Sequence, residues 1–146
     1  MTVAKAIRHA GVVVEDLERA LAFYCDVLGF SVQRRMEEQG PFIDHLLGLT
    51  QARVITVKLA LPAGGAMIEL LKYEAPSADP RRPLTVKTPG PTHVALTVEN
   101  LEALVPKLLA AGASLVNPPR RSPDGKVMAV YCADPEGNYL ELVEEI

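Results

Sequence analysis

Ile7-Arg8-His9-Ala10-Gly11-Val12-Val13-Val14-Glu15-Asp16-Leu17-Glu18 decides how the chain is read, because it returns as Pro91-Thr92-His93-Val94-Ala95-Leu96-Thr97-Val98-Glu99-Asn100-Leu101-Glu102. The histidines, the closing valines and the Glu-Asp/Asn-Leu-Glu runs align at one offset (93 − 9 = 84). Each copy reads as a strand that opens on a histidine and runs into a helix cap, Asp16 or Asn100. Side chains on a strand repeat every two positions, so His9, Gly11 and Val13 share a face.

Around these copies the pattern predicts two modules of one plan. In the first, Arg8 to Val14 is a strand. Leu17, Ala20, Leu21, Tyr24 and Leu28 then form one stripe of a helix that Gly29 ends. A strand over Phe30 to Glu38 follows, with Arg34 and Arg35 facing opposite ways, then a break at Gly40-Pro41. Phe42 to Leu49 reads as a short helix or an ordered loop. Strands at Ala52 to Leu61 and Ala66 to Tyr73 flank a Pro62-Ala63-Gly64-Gly65 turn. The second module has a strand at His93 to Val98, a helix from Asn100 to Ala111 ended by Gly112, and a short strand at Ala113 to Asn117. A basic, proline-rich loop, Pro118 to Asp124, leads to strands at Lys126 to Ala133 and Asn138 to Val143. Pro106 within the second helix predicts a kink or a later cap.

Arg53 to Tyr73 also lies over Gly125 to Glu145 without a gap, at an offset of 72 (141 − 69 = 72). The expected fold class is therefore α+β, two paired βαβββ modules spanning 1–74 and 92–146, joined by a linker, 75–91. The stretch from Glu74 to Pro91 holds five prolines and few apolar residues.

Composition narrows the function. At 146 residues the chain is one domain, or two small modules sharing a core. A hydrophobic share of 49% with 23% charged residues is that of a globular protein rather than a disordered one. The net charge of −3 argues against nucleic acid or an anionic membrane as partner. Met1 to Ala6 leads into a strand with no separate apolar segment of a signal peptide, and no apolar run reaches membrane-spanning length. A cytoplasmic protein is the expectation, with Cys25 and Cys132 as two reduced thiols in apolar surroundings.

The chemistry is carried by two glutamates. Glu69 lies within Met67-Ile68-Glu69-Leu70-Leu71 and Glu141 within Tyr139-Leu140-Glu141-Leu142-Val143, at equivalent positions. A carboxylate on an apolar strand is costly unless paired, hydrogen-bonded or bound to a metal. Alternation puts each glutamate on the face opposite Ile68/Leu70 or Leu140/Leu142, as in the wall of a half-open cavity. With His9 and His93 they make a two-imidazole, two-carboxylate set that suits Zn²⁺, Ni²⁺, Co²⁺, Mn²⁺ or Fe²⁺. The competing reading is a structural His–Glu hydrogen bond in each module. His45, in a segment the second module lacks, is expected at the surface. The pairs Arg34/Arg35, Arg81/Arg82 and Arg120/Arg121 are either solvated charge or clamps for a carboxylate or phosphate.

At these residues the chain resembles the vicinal-oxygen-chelate superfamily, the glyoxalase/bleomycin-resistance/extradiol-dioxygenase group. The resemblance rests on His9 to Val14, on Leu21-Ala22-Phe23-Tyr24-Cys25-Asp26-Val27-Leu28-Gly29-Phe30, and on Ala133-Asp134-Pro135-Glu136-Gly137-Asn138-Tyr139-Leu140-Glu141-Leu142. It implies an eight-stranded, incompletely closed cup, a metal held by His9, Glu69, His93 and Glu141, a small-molecule substrate and a homodimer. It further implies proton transfer next to a metal-chelated carbonyl, as in glyoxalase I-like lyases or acyl-CoA epimerase-like members, with Glu141 or Glu69 carrying the proton. The alternatives within the group are a resistance protein that binds an antibiotic without chemistry and an Fe(II) extradiol dioxygenase. The acid at Glu69 counts against the dioxygenase, whose set is two histidines and one glutamate.

Overall fold

A computed structural model describes residues 3–146. Met1 and Thr2, which open the stretch read above for a signal peptide, lie outside the described residues. The chain separates into a unit ending at Pro80 and a second unit, Arg81–Ile146.

In the N-terminal unit, β1 (His9–Val13) pairs in parallel with β4 (Met67–Ala75), which pairs antiparallel with β3 (Arg53–Ala60) and that with β2 (Ser31–Gln39). The sheet order is β1-β4-β3-β2. Between β1 and β2 the chain forms α1 (Leu17–Leu21), whose first turn is capped by Asp16 accepting from the Arg19 N–H at 3.0 Å. The expected single α-helix changes character here: Ala22–Val27 is a π-helix, with Leu28 N–H bonded to the Phe23 carbonyl at 3.2 Å. The wider turn buries both Phe23 and Tyr24, whereas the α-helical stripe accounts only for Tyr24. Tyr24 packs edge-on against Phe23 and Phe30.

Of the two readings for the next segment, the helix is found: α2 (Pro41–Leu47), with proline in its first turn and Gly48 in the left-handed conformation at its end. Asp44 accepts from the Gln51 and Ala52 N–H groups at 3.0 and 2.7 Å, tying the following loop to the helix.

The C-terminal unit has the order β5-β9-β8-β6, with β7 also on β8. These are β5 (His93–Thr97), β6 (Ser114–Leu115), β7 (Arg120–Arg121), β8 (Val127–Ala133) and β9 (Tyr139–Glu145). Strand β7 is a correction, because the sequence predicts only loop there. Arg120 and Arg121 pair with Ala129 and Met128, giving nine strands rather than eight among the described residues. Helix α3 (Leu101–Ala110) starts where expected, with Asn100 accepting from Ala103 N–H at 3.2 Å, and holds Pro106 in its interior. Its first amides are held by a residue the sequence did not single out. Glu144 accepts from the Asn100 and Leu101 N–H groups, both at 2.9 Å.

The alternation read for β4 and β9 holds. Ile68, Leu70, Leu140 and Leu142 are buried at 2% exposure or less, while Glu69 and Glu141 face the other way and are half-buried. Both cysteines are free; Cys132 is buried, and burial followed by the nearby Asp134 charge pushes its thiol up to about 11. Among the described residues no helix is long and apolar enough to cross a membrane.

Candidate functional site

The repeat produces one frame twice. On β1 and β4, His9 stands beside Met67 and Gly11 beside Glu69; on β5 and β9, His93 stands beside Tyr139 and Ala95 beside Glu141. Neighbours in a ladder share a face, so each histidine is diagonal to a glutamate and a very small residue lies opposite each carboxylate. The imidazole can then lean across. His9 Nε2 lies 3.5 Å from Glu69 Oε1, and His93 Nε2 lies 3.4 Å from Glu141 Oε2.

These separations are long for a hydrogen bond. They are close to the roughly 3.4 Å between two donor atoms that each sit about 2.1 Å from one ion at a near-tetrahedral angle. Imidazole nitrogen with carboxylate oxygen is also a donor set that first-row divalent metals take. Each pair therefore fits half of a metal site. Each unit brings together one His–Glu pair, and among the described residues no three His, Cys, Asp or Glu side chains gather as a metal-holding group.

The two pairs differ in their third member. In the N-terminal unit the residue across from Glu69 is Lys58, with its Nζ 3.9 Å from Glu69 Oε2. His9 Nδ1 is buried and has no hydrogen-bond partner. In the C-terminal unit the residue across from Glu141 is Tyr131. Its hydroxyl lies 3.2 Å from His93 Nε2 and the two rings pack edge-on at 4.9 Å. The Thr92 hydroxyl contacts His93 Nδ1 at 2.9 Å. Burial, then the Glu141 charge and a hydrogen bond to that carboxylate, raise the Tyr131 pKa above its ordinary value.

This contrast corrects the gapless offset of 72. Equivalence of β4 and β9 at that offset holds, since Ile68 and Leu140 occupy matching places. However, Leu59 pairs with Ile68 while Cys132 pairs with Leu140, an offset of 73. The cause is the connection. Six residues, 61–66, join β3 to β4, and five, 134–138, join β8 to β9. Lys58 and Tyr131 are thus the matched positions, and sequence reasoning passed over both. Lys58 carried the same signal that exposed Glu69, a charge within an apolar strand.

Beside Glu141, the C-terminal unit holds a cavity of about 870 Å³ whose lining includes Tyr131, Arg120 and Val116. Of the arginine pairs, Arg35 is taken by Glu18 at 2.9 Å and Arg81 by the Asn138 side chain at 3.3 Å. Arg121 contacts the Gly125 carbonyl at 3.4 Å. His45 is exposed on α2, as expected.

The sequence profile of the Glyoxalase/Bleomycin resistance protein/Dioxygenase superfamily matches residues 6–142. The chain belongs to this superfamily. Within it, the protein is similar to a probable lactoylglutathione lyase of Synechocystis sp., at 26% identity over 93% of this chain and 92% of that one. It is similar to a 2-epi-5-epi-valiolone epimerase of Actinomyces sp, at 27% identity over 96% of this chain and 79% of the relative. The fold matches that of a glyoxalase family protein from Bacillus cereus with a TM-score of 0.92, at 25% identity over 99% and 97% of the two chains. The two-sheet α+β architecture is therefore that of the glyoxalase fold, and this superfamily member has lyase and epimerase relatives at low identity.

Proposed function

We propose that this superfamily member is a divalent-metal-dependent lyase or isomerase that moves a proton next to a chelated carbonyl. His9, Glu69, His93 and Glu141 are the ligands of one Zn²⁺, Ni²⁺, Co²⁺, Mn²⁺ or Fe²⁺ ion, completed within one chain or by two chains of a homodimer. The observation that carries this reading is the recurrence of the His–Glu spacing, 3.5 Å in one unit and 3.4 Å in the other. When bound, the ion supplies a Lewis acid that holds and polarises the substrate carbonyl oxygen.

Glu141 is the proton carrier. Its neighbour Tyr131 is neutral and the 870 Å³ cavity opens beside it, so a substrate carbon has room to approach. Glu69 is the less available of the two, because the Lys58 ammonium stands 3.9 Å from its Oε2. In the reaction, Glu141 takes the proton from the carbon α to the carbonyl and the electron pair shifts towards the carbonyl oxygen. For an isomerase-type outcome that proton returns to the former carbonyl carbon, while the hydroxyl on the α carbon gives its proton to the former carbonyl oxygen and becomes the new carbonyl. An epimerase outcome instead takes its proton from a second acid on the opposite face.

The test combines elemental analysis with exchange of substrate α-protons in D₂O, followed by proton NMR on a panel of small oxo-compounds. The reading expects about one equivalent of transition metal per chain and metal-dependent exchange. Less than a tenth of an equivalent after reloading would replace it with a binding protein. Oxygen uptake with catechols under reducing conditions would replace it with a ring-cleaving dioxygenase.

A further inference from the structure

The cavity of the C-terminal unit is built on one face of its sheet. Arg120 pairs with Ala129 and Tyr131 with Glu141. Ala129 and Tyr131 alternate along β8, so all four side chains stand on the same face. Strands β6 and β7 both pair with β8, and the segment between them forms one wall. That segment is tied at both ends. The Val116 N–H donates to the Tyr131 carbonyl at 2.9 Å, and Arg120 and Arg121 rejoin the ladder. Pro118 and Pro119 restrict its backbone, so the wall is set before any ligand arrives.

Chemically the cavity has two ends. Val86, Val116, Pro118 and Pro119 make its sides apolar, and Tyr131 and Glu141 form the reacting end. Arg120 is the one cation of the lining. Unlike Arg35, Arg81 and Arg121, it makes no hydrogen bond or ion pair among the described residues. Two strand spacings and two residues separate Arg120 from Glu141, roughly 12 Å between Cα atoms. After the reach of the two side chains, that leaves a gap suited to a molecule of a few carbon atoms.

We propose that this cavity takes a compact, mainly apolar oxo-compound bearing a single terminal anion, carboxylate or phosphate, which Arg120 holds while the carbonyl end lies at Glu141. The proposal rests on the proton-transfer reading of Glu141 and names the substrate class for that site. A glutathione conjugate fits poorly. It brings two carboxylates, an ammonium and two amides to a lining that, among the described residues, offers one free cation, the Asn117 amide and otherwise apolar sides, which leaves charges unpaired.

The test is calorimetric titration of the full chain, metal-loaded and chelator-treated. The probes are 4-oxopentanoate and its methyl ester, dihydroxyacetone phosphate and dihydroxyacetone, and S-hexylglutathione. An anion should bind about tenfold or more tighter than its uncharged counterpart, and which anion gains more separates carboxylate from phosphate. Arg120→Gln should erase that preference without changing metal content or melting temperature. Arg121→Gln, on the opposite face, should keep it. Equal binding of charged and uncharged probes overturns the proposal, as does a preference that survives Arg120→Gln, tighter binding of S-hexylglutathione, or no probe binding at all. Anion preference without α-proton exchange would remove the catalytic reading alone and leave the pocket standing.

Discussion

The His9–Glu69 and His93–Glu141 pairs sit in the same frame, a parallel strand pair with a glycine or alanine opposite each carboxylate, and yet their surroundings diverge. Lys58 faces Glu69, which is 13% exposed, while Tyr131 faces Glu141, which is 29% exposed beside a cavity. The frame is the same in both units, and the difference lies in the side chain that each third strand sets across from the carboxylate, a lysine or a tyrosine. A repeat can therefore keep two His–Glu pairs alike while setting a cation against one carboxylate and a cavity beside the other.

The largest effect should come from the carboxylates themselves. Glu141→Gln should lower α-proton exchange by about 10²- to 10⁴-fold with the melting temperature preserved. Glu69→Gln, measured at saturating metal, should cost markedly less. Equal losses would erase the functional half of the comparison.

The buried faces should instead behave alike. Leu70 and Leu142 are both fully buried at matching positions, so Leu70→Ala and Leu142→Ala should each cost about 2–5 kcal/mol in chemical denaturation. A loss below about 1 kcal/mol for either would show that its strand is not packed as described.

A smaller effect separates the third members. Lys58→Met removes the cation that competes for Glu69, so divalent metal should bind several-fold tighter, less so at high salt. Tyr131→Phe removes no charge and should leave metal affinity within about twofold. Weaker metal binding in Lys58→Met would mean that the lysine supports the site rather than opposing it.

The thiols give the mildest signal. With Cys132 held at about 11, its thiolate fraction at pH 8 is roughly one in a thousand. A disulfide reagent should label Cys25 first and reach Cys132 only in denaturant. The folded-state pKa is raised, so reactivity of Cys132 should climb as pH rises towards 11. Rapid labelling at pH 8 would contradict its burial.

Much of this frame was legible in the residues. The offsets of 84 and 72 matched each histidine with a glutamate; the diagonal placement itself comes from the parallel pairing of the first and last strands, which the residues alone did not show. Asp16, Asn100 and Gly112 marked helix ends through local backbone chemistry, which sequence carries directly. The remainder depended on tertiary terms. Nothing local distinguishes the π-helical turn at Ala22–Val27 from a continued α-helix. The gain lies in burying Phe23 together with Tyr24, which only the packed unit supplies. Strand β7 is two residues long and exists because β8 offers a free edge. Lys58 and Tyr131 were missed because an ungapped repeat hides a one-residue change in a turn.

In the proposed function, one metal ion needs both His–Glu pairs. The most direct measurement is metal content by mass spectrometry of the wild type and of His9→Ala and His93→Ala, each reloaded and desalted identically. The expected result is about one equivalent per chain in the wild type and less than a tenth in either variant. Full retention of metal after removal of one histidine would contradict it, as would wild-type protein that takes up none.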